Sequence, residues 1–92
     1  MIVRILGEGQ YRLDDAAFAS VSAIDDRVQE AADAGDAERF DGALRELVAE
    51  IARLGTPLAA DEFEGSDAIV PGAGTTLEEA RALLTSEGLI PG

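Results

Sequence analysis

The sequence predicts a single α+β domain over residues 1–92: an N-terminal β-hairpin joined by a short third strand, an antiparallel helix pair and a short C-terminal helix. Three observations carry that expectation. Apolar residues flank a Gly-Glu-Gly turn near the start of the chain, two apolar stripes at spacings of three and four fill the region from Asp14 to Leu54, and a three-residue apolar run later precedes a helix-capping signature. At 92 residues a chain buries roughly 60 to 65% of its unfolded surface, enough for one thin core. Leu, Ile, Val and Phe together stay above the level of about 20% below which a highly charged chain is disordered, so the domain is expected to fold.

The hairpin pairs Ile2, Val3, Ile5 and Leu6 with Tyr11 and Leu13 across the turn Gly7-Glu8-Gly9. Asp14 and Asp15 stand where an N-cap acceptor belongs. Ala17, Val21, Ile24, Val28 and Ala31 then form one helical stripe, widened by Phe18 and Ala32, with Asp26, Glu30 and Asp33 on the wet side. Gly35 suits a left-handed helix end and Asp36 a new N-cap. Phe40, Leu44, Leu47, Ile51 and Leu54 make the second stripe, supported by Ala43 and Val48, and Gly55-Thr56-Pro57 ends it. Each stripe covers only about two heptads, so the helices are expected to pack on one another within the chain rather than zip between chains. Pairs Asp41/Arg45, Asp36/Arg39 and Glu50/Arg53 are spaced for intrahelical ion pairs, worth only a few tenths of a kcal/mol. Ala68-Ile69-Val70 is the third strand, with Pro71 setting it at an edge or ending it. Thr76 and Glu79 form a capping box for a last helix with Leu77, Ala80, Leu83 and Leu84 inward and Gly88 as its stop. The apolar tail Leu89-Ile90 is expected to return to the core.

Charge is the dominant peculiarity. The net charge is −12, from 19 acids and 7 bases, and every base is Arg. Residues 1–13 carry +1, while 14–35 carry −5, 36–55 carry −2, 56–76 carry −4 and 77–92 carry −2. Direct binding to nucleic acid or to anionic lipid needs clustered Lys or Arg and is not expected. A charged partner should be basic, although the same charge also serves plain solubility. The chain has no Cys, no His and no Lys, which removes the thiolate nucleophile, the disulfide, the commonest general base and the Schiff-base amine. No stretch resembles a signal peptide or a bilayer-spanning segment, so a cytoplasmic location is expected.

The remaining motifs have bland explanations. Gly7-Glu8-Gly9 starts like a dinucleotide fingerprint, but Arg12 stands where the third Gly belongs, and no βαβ unit follows. Gly72-Ala73-Gly74-Thr75-Thr76 leads into a helix start without the Lys or spacing of a phosphate-binding loop. Asp61, Glu62, Glu64 and Asp67 lack the ligand spacing of an EF-hand. No enzyme activity, metal or other cofactor is therefore expected. Tyr11 reads as a strand residue packed with its hydroxyl in water. Phe63, set among acids in an irregular segment, is the candidate anchor for a partner, and Asp61, Glu62, Phe63 and Glu64 form the candidate binding patch.

The opening MIVRILGEGQYRLDD, the helical pair, the GTPL after it and the closing TTLEEARALLTSEGLIPG resemble the PspAA family, small proteins associated with phage shock protein A; the resemblance runs the length of the chain. It implies a bacterial or archaeal cytoplasmic component of the phage-shock envelope-stress response. It also implies a partner, a PspA-type coiled-coil protein that binds stressed membrane and through which this chain reaches the inner face. The implied role is a non-enzymatic adaptor or regulator acting by protein–protein binding, and no catalytic or cofactor residues come with the resemblance. Two other classes stand beside it: an acidic mimic of DNA that occupies a basic transcription factor, and a carboxylate-based binder of a metal or small molecule. Homo-oligomerisation stays open, since the same stripes are able to pair between chains.

Overall fold

The computed structural model describes residues 1–59, 61–62, 64–84 and 88–90. Its elements are β1 (Ile2–Ile5), β2 (Gly9–Arg12), α1 (Asp15–Ala34), α2 (Ala37–Leu54), β3 (Thr56–Pro57), β4 (Ala68–Val70) and α3 (Leu77–Ala80). The strands form one four-stranded sheet in the order β3-β2-β1-β4. β1 and β2 are the expected antiparallel hairpin, with Val3 opposite Tyr11 and Ile5 opposite Gly9. β4 lies parallel to β1, with Val3 opposite Ala68 and Ile5 opposite Val70. A parallel neighbour demands a crossover, and the helix pair lies within it.

The sheet has one strand more than expected. Gly55-Thr56-Pro57 ends α2 and then lays β3 against β2, pairing Tyr11 with Pro57 and Arg12 with Thr56. Pro57 is tolerated because β3 is an edge strand. Gly55 is extended rather than left-handed (φ −78°, ψ 157°), and what it supplies is room: a Cβ there would lie 2.9 Å from the Cβ of Tyr11 and 2.7 Å from the Ile51 carbonyl oxygen.

Both long helices start and stop where the local chemistry directs. Asp14 accepts from the Ala17 N–H at 2.8 Å, and Gly35 closes α1 at φ 67°. Asp36 spends its carboxylate on the Arg39 backbone N–H at 3.1 Å, so the expected Asp36/Arg39 ion pair gives way to a cap. The other two pairs form, Arg45 to Asp41 at 2.9 Å and Arg53 to Glu50 at 2.6 Å. Arg27 to Glu46 at 2.8 Å and Ser20 to Glu50 at 3.3 Å link α1 to α2. The helix pair packs on the sheet face that carries Val3, Ile5 and Val70, and Val21, Val28, Phe40, Leu44, Leu47 and Ile51 fill the core between them.

The last helix keeps its capping box: the Glu79 N–H donates to the Thr76 hydroxyl at 3.2 Å, and the Thr76 N–H to Glu79 Oε1 at 3.1 Å. It ends at Ala80, far short of Gly88. The Leu84 N–H is shared between the carbonyls of Ala80 (3.2 Å) and Arg81 (3.3 Å), a tightening common at helix ends. Leu83 and Leu84 pack half-buried against the core, and Leu89 and Ile90 enter it as expected.

Candidate partner-binding surface

β3 and β4 occupy opposite edges of the sheet, so the chain between them has to cross it. Side chains directly opposite in an antiparallel pair share a face. Tyr11 therefore points with Val3 toward the helices, and Gln10 and Arg12 point the other way. The crossing segment is held by those two outward residues. Gln10 Nε2 donates to the Glu64 carbonyl at 2.8 Å and to the Ser66 hydroxyl at 2.9 Å. The Arg12 guanidinium pairs with Glu64 and lies 3.8 Å from Glu62. The described residues of this segment, 58–59, 61–62 and 64–67, thus form a strap over the outer face. At its far end Asp67 Oδ2 accepts the Ile2 N–H at 2.8 Å, and the Asp67 N–H donates to the Ile2 carbonyl at 2.7 Å.

This geometry places the predicted binding patch. Asp61, Glu62 and Glu64 are all exposed on the strap. Glu62 also accepts the Ala59 N–H at 2.8 Å, so Glu62 and Glu64 hold the strap's shape as well as facing water. Asp61 has no ion pair or hydrogen bond from its side chain among the described residues. Phe63 lies outside the described residues. Between strap and hairpin runs an open groove of about 670 Å³, lined by Arg4, Glu8, Gln10, Leu58, Glu62 and Glu64 among others. Its lining is largely polar and lacks the enclosed apolar walls of a small-molecule site.

The other motifs take structural roles. Gly7 (φ 86°) and Gly9 (φ 110°) make the hairpin turn. At the start of α3, Thr76 and Glu79 already satisfy one another, leaving that helix start little to offer an anion. Among the described residues no group of three or more acidic side chains is arranged to hold a metal ion.

One functional-looking group escaped the sequence reading. Asp25, on α1, is only 2% exposed and is the one buried charged residue among the described residues. Its two oxygens accept the N–H groups of Leu89 and Ile90, each at 3.0 Å. Burial raises its pKa, against the lowering effect of the hydrogen bonds from Ile90 and Leu89, and Asp26 adds a further upward push. Gly88, at φ 95°, leaves room for the carboxylate, since a Cβ there would meet Asp25 Oδ2 at 2.5 Å. The signal was present: Asp25 follows Val21 by four residues and precedes Val28 by three, which puts it on the buried stripe beside Ile24. Asp25 is thus a clamp for the end of the chain, buried beneath Leu89 and Ile90.

Among the described residues no helix is long and apolar enough to cross a membrane. Neither a curated protein nor a solved structure matches the chain. A family match is found for PspAA, the PspA-Associated protein, and it covers residues 1–92. With every element of the domain inside that match, the chain belongs to the PspAA family of PspA-associated proteins.

Proposed function

We propose that this chain is a non-enzymatic adaptor or regulator that binds a PspA-type coiled-coil protein of the envelope-stress response, works in the cytoplasm, and reaches the inner face of the membrane through that partner. The observation that carries the reading is the family match over the whole chain, because the family is described by its association with PspA. Charge supports the indirect route to the membrane. A net charge of −12 is repelled by anionic lipid and by nucleic acid phosphate alike, whereas basic segments of a protein partner are attracted. In this reading the exposed strap acids Asp61, Glu62 and Glu64 give salt-sensitive contacts to basic residues of the partner.

Calorimetric titration of the full chain into the PspA-type protein from the same source tests the proposal. Association in the micromolar range, weakening as salt is raised, is the expected result. No measurable binding at tens of micromolar overturns it.

A further inference from the structure

The two faces of the sheet are covered unequally. α1 and α2 cover the inner face, and the strap covers the β3–β2 half of the outer face. On the β1–β4 half of that outer face Ile2 is buried at the end tied to Asp67, and the part around Arg4 and Ile69 is exposed. Leu6 and Ile69 lie there, 47% and 42% exposed, and they are the large hydrophobic side chains exposed to this degree among the described residues. Arg4 sits directly opposite Ile69 in the β1–β4 register. The Leu6 N–H still donates to the Val70 carbonyl at 2.9 Å, so the ladder's alternation runs on through Leu6 and turns its side chain to the same side as Arg4.

Arg4 also differs electrostatically from most other bases. Arg12, Arg27, Arg45, Arg53 and Arg81 each reach a carboxylate. Arg4, like Arg39 on α2, has no ion pair among the described residues, in a chain where acids outnumber bases 19 to 7, and Arg4 is the one of the two that sits beside exposed aliphatics on the sheet. An unpaired cation beside two exposed aliphatics, at the rim of an open groove, is a recognition pattern for a surface that presents apolar groups and a carboxylate together.

We infer that Arg4, Leu6 and Ile69 form the docking surface for an amphipathic helix of the PspA-type partner. Two aliphatic side chains of that helix, three or four residues apart, cover Leu6 and Ile69, and a carboxylate beside them pairs with Arg4. This rests on the function proposed above and names the surface through which it acts. The strap acids lie across the neighbouring groove from Arg4, so bases flanking the partner's apolar stripe find a polar rim around an apolar centre. A second copy of this chain fits less well. A two-fold contact on the patch would present the same Arg4 from both sides and bring together two surfaces of net charge −12. The open area is small, so the contact belongs with the weak, transient class of interfaces.

The test compares the wild-type chain with Arg4→Glu and with the double variant Leu6→Ser/Ile69→Ser in calorimetric titration against the PspA-type protein from the same source. All three side chains are exposed, so the variants are expected to melt with the wild type, and Arg4→Gln replaces Arg4→Glu if that variant does not. Each change is expected to weaken binding about tenfold or more. Wild-type binding that both variants retain undiminished overturns this surface and leaves the proposed function standing. Absence of wild-type binding overturns the function, and the surface with it. Sedimentation of the chain alone provides a second check: a dimer that the double variant dissolves would reassign the patch to self-association. Partner-independent binding to phosphatidylglycerol vesicles that Arg4→Glu abolishes would reassign it to lipid, and either result overturns the inference.

Discussion

The helix pair and the segment after it are held by different kinds of force. α1 and α2 face each other and the sheet with repeated aliphatic side chains, Val21, Val28, Leu44, Leu47 and Ile51 among them, all fully buried. Beyond α2 the chain relies more on directional contacts at separate points: Gln10 on Glu64 and Ser66, Asp67 on Ile2, and Asp25 on Leu89 and Ile90. Apolar burial is non-directional and spread over many atoms, so it ties the stability of the whole domain to the stripes. A hydrogen-bonded tether is modest in net energy but costly to half-remove, so it fixes one segment at one place.

The largest effect should come from the stripes. Phe40 is fully buried, and Phe40→Ala is expected to cost about 3–5 kcal/mol, a large part of the ~5–15 kcal/mol typical of a domain. Urea denaturation followed by circular dichroism reads it as a single transition at much lower denaturant. A loss below about 1 kcal/mol would show that the helix pair is not the cooperative centre.

The tether at Asp25 comes next. Asp25→Ala leaves the buried N–H groups of Leu89 and Ile90 without acceptors, at about 1–3 kcal/mol for each orphaned group. Amide exchange should quicken first at Leu89 and Ile90 while α2 keeps its protection; equal loss in both would mean that tether and stripes open as one unit. The pH dependence has a definite sign. Because burial raises the Asp25 pKa above its ordinary value of 3.8, the folded state holds that proton more tightly than the unfolded chain. The carboxyl's contribution is therefore fullest below the ordinary value and shrinks as pH rises through the raised one. Glu46, lowered by hydrogen bonding and charge from Arg27, and Glu79, lowered by the Thr76 backbone and hydroxyl, act in the opposite sense: their contribution is lost as pH falls. Denaturation of wild type and Asp25→Asn across this range isolates the first slope. The stability advantage of wild type over Asp25→Asn should narrow toward neutral pH, and an advantage that widens instead would mean the two N–H donors outweigh burial.

The smallest effect belongs to the strap. Arg12 and its acidic partners are roughly half exposed, so Arg12→Ala should change global stability by less than about 1 kcal/mol. Local consequences should be larger. Cleavage after Glu62 and Glu64 by a glutamate-specific protease should accelerate several-fold, whereas an unchanged rate would show that Gln10 and Asp67 hold the strap without Arg12.

The same contrast explains what was legible beforehand. The hairpin, both long helices, their caps at Asp14, Gly35 and Asp36, and the capping box at Thr76 were all readable, as was the return of Leu89 and Ile90 to the core. β3 was missed because two residues carry no period. Asp25 was missed because an acid on an apolar stripe reads as a helix edge until its partners are known, and those partners are 64 and 65 residues away. The strap acids were visible as a cluster, but their links to Arg12 and Ala59 were not.

By itself the sequence determined the local elements and their polarity, because helical period, capping chemistry and turn glycines act over three or four residues. It also determined that most of the charge would stay on the surface of a thin aliphatic core, with the buried Asp25 as the exception it did not show. Only the tertiary structure decided that β4 runs parallel to β1, that the strap covers part of the outer sheet face, and that Arg4, beside Leu6 and Ile69, has no carboxylate partner among the described residues. Those outcomes depend on which groups meet across 54 to 65 residues of chain. Such meetings are set by how the packed layers close on one another, which no short-range pattern specifies.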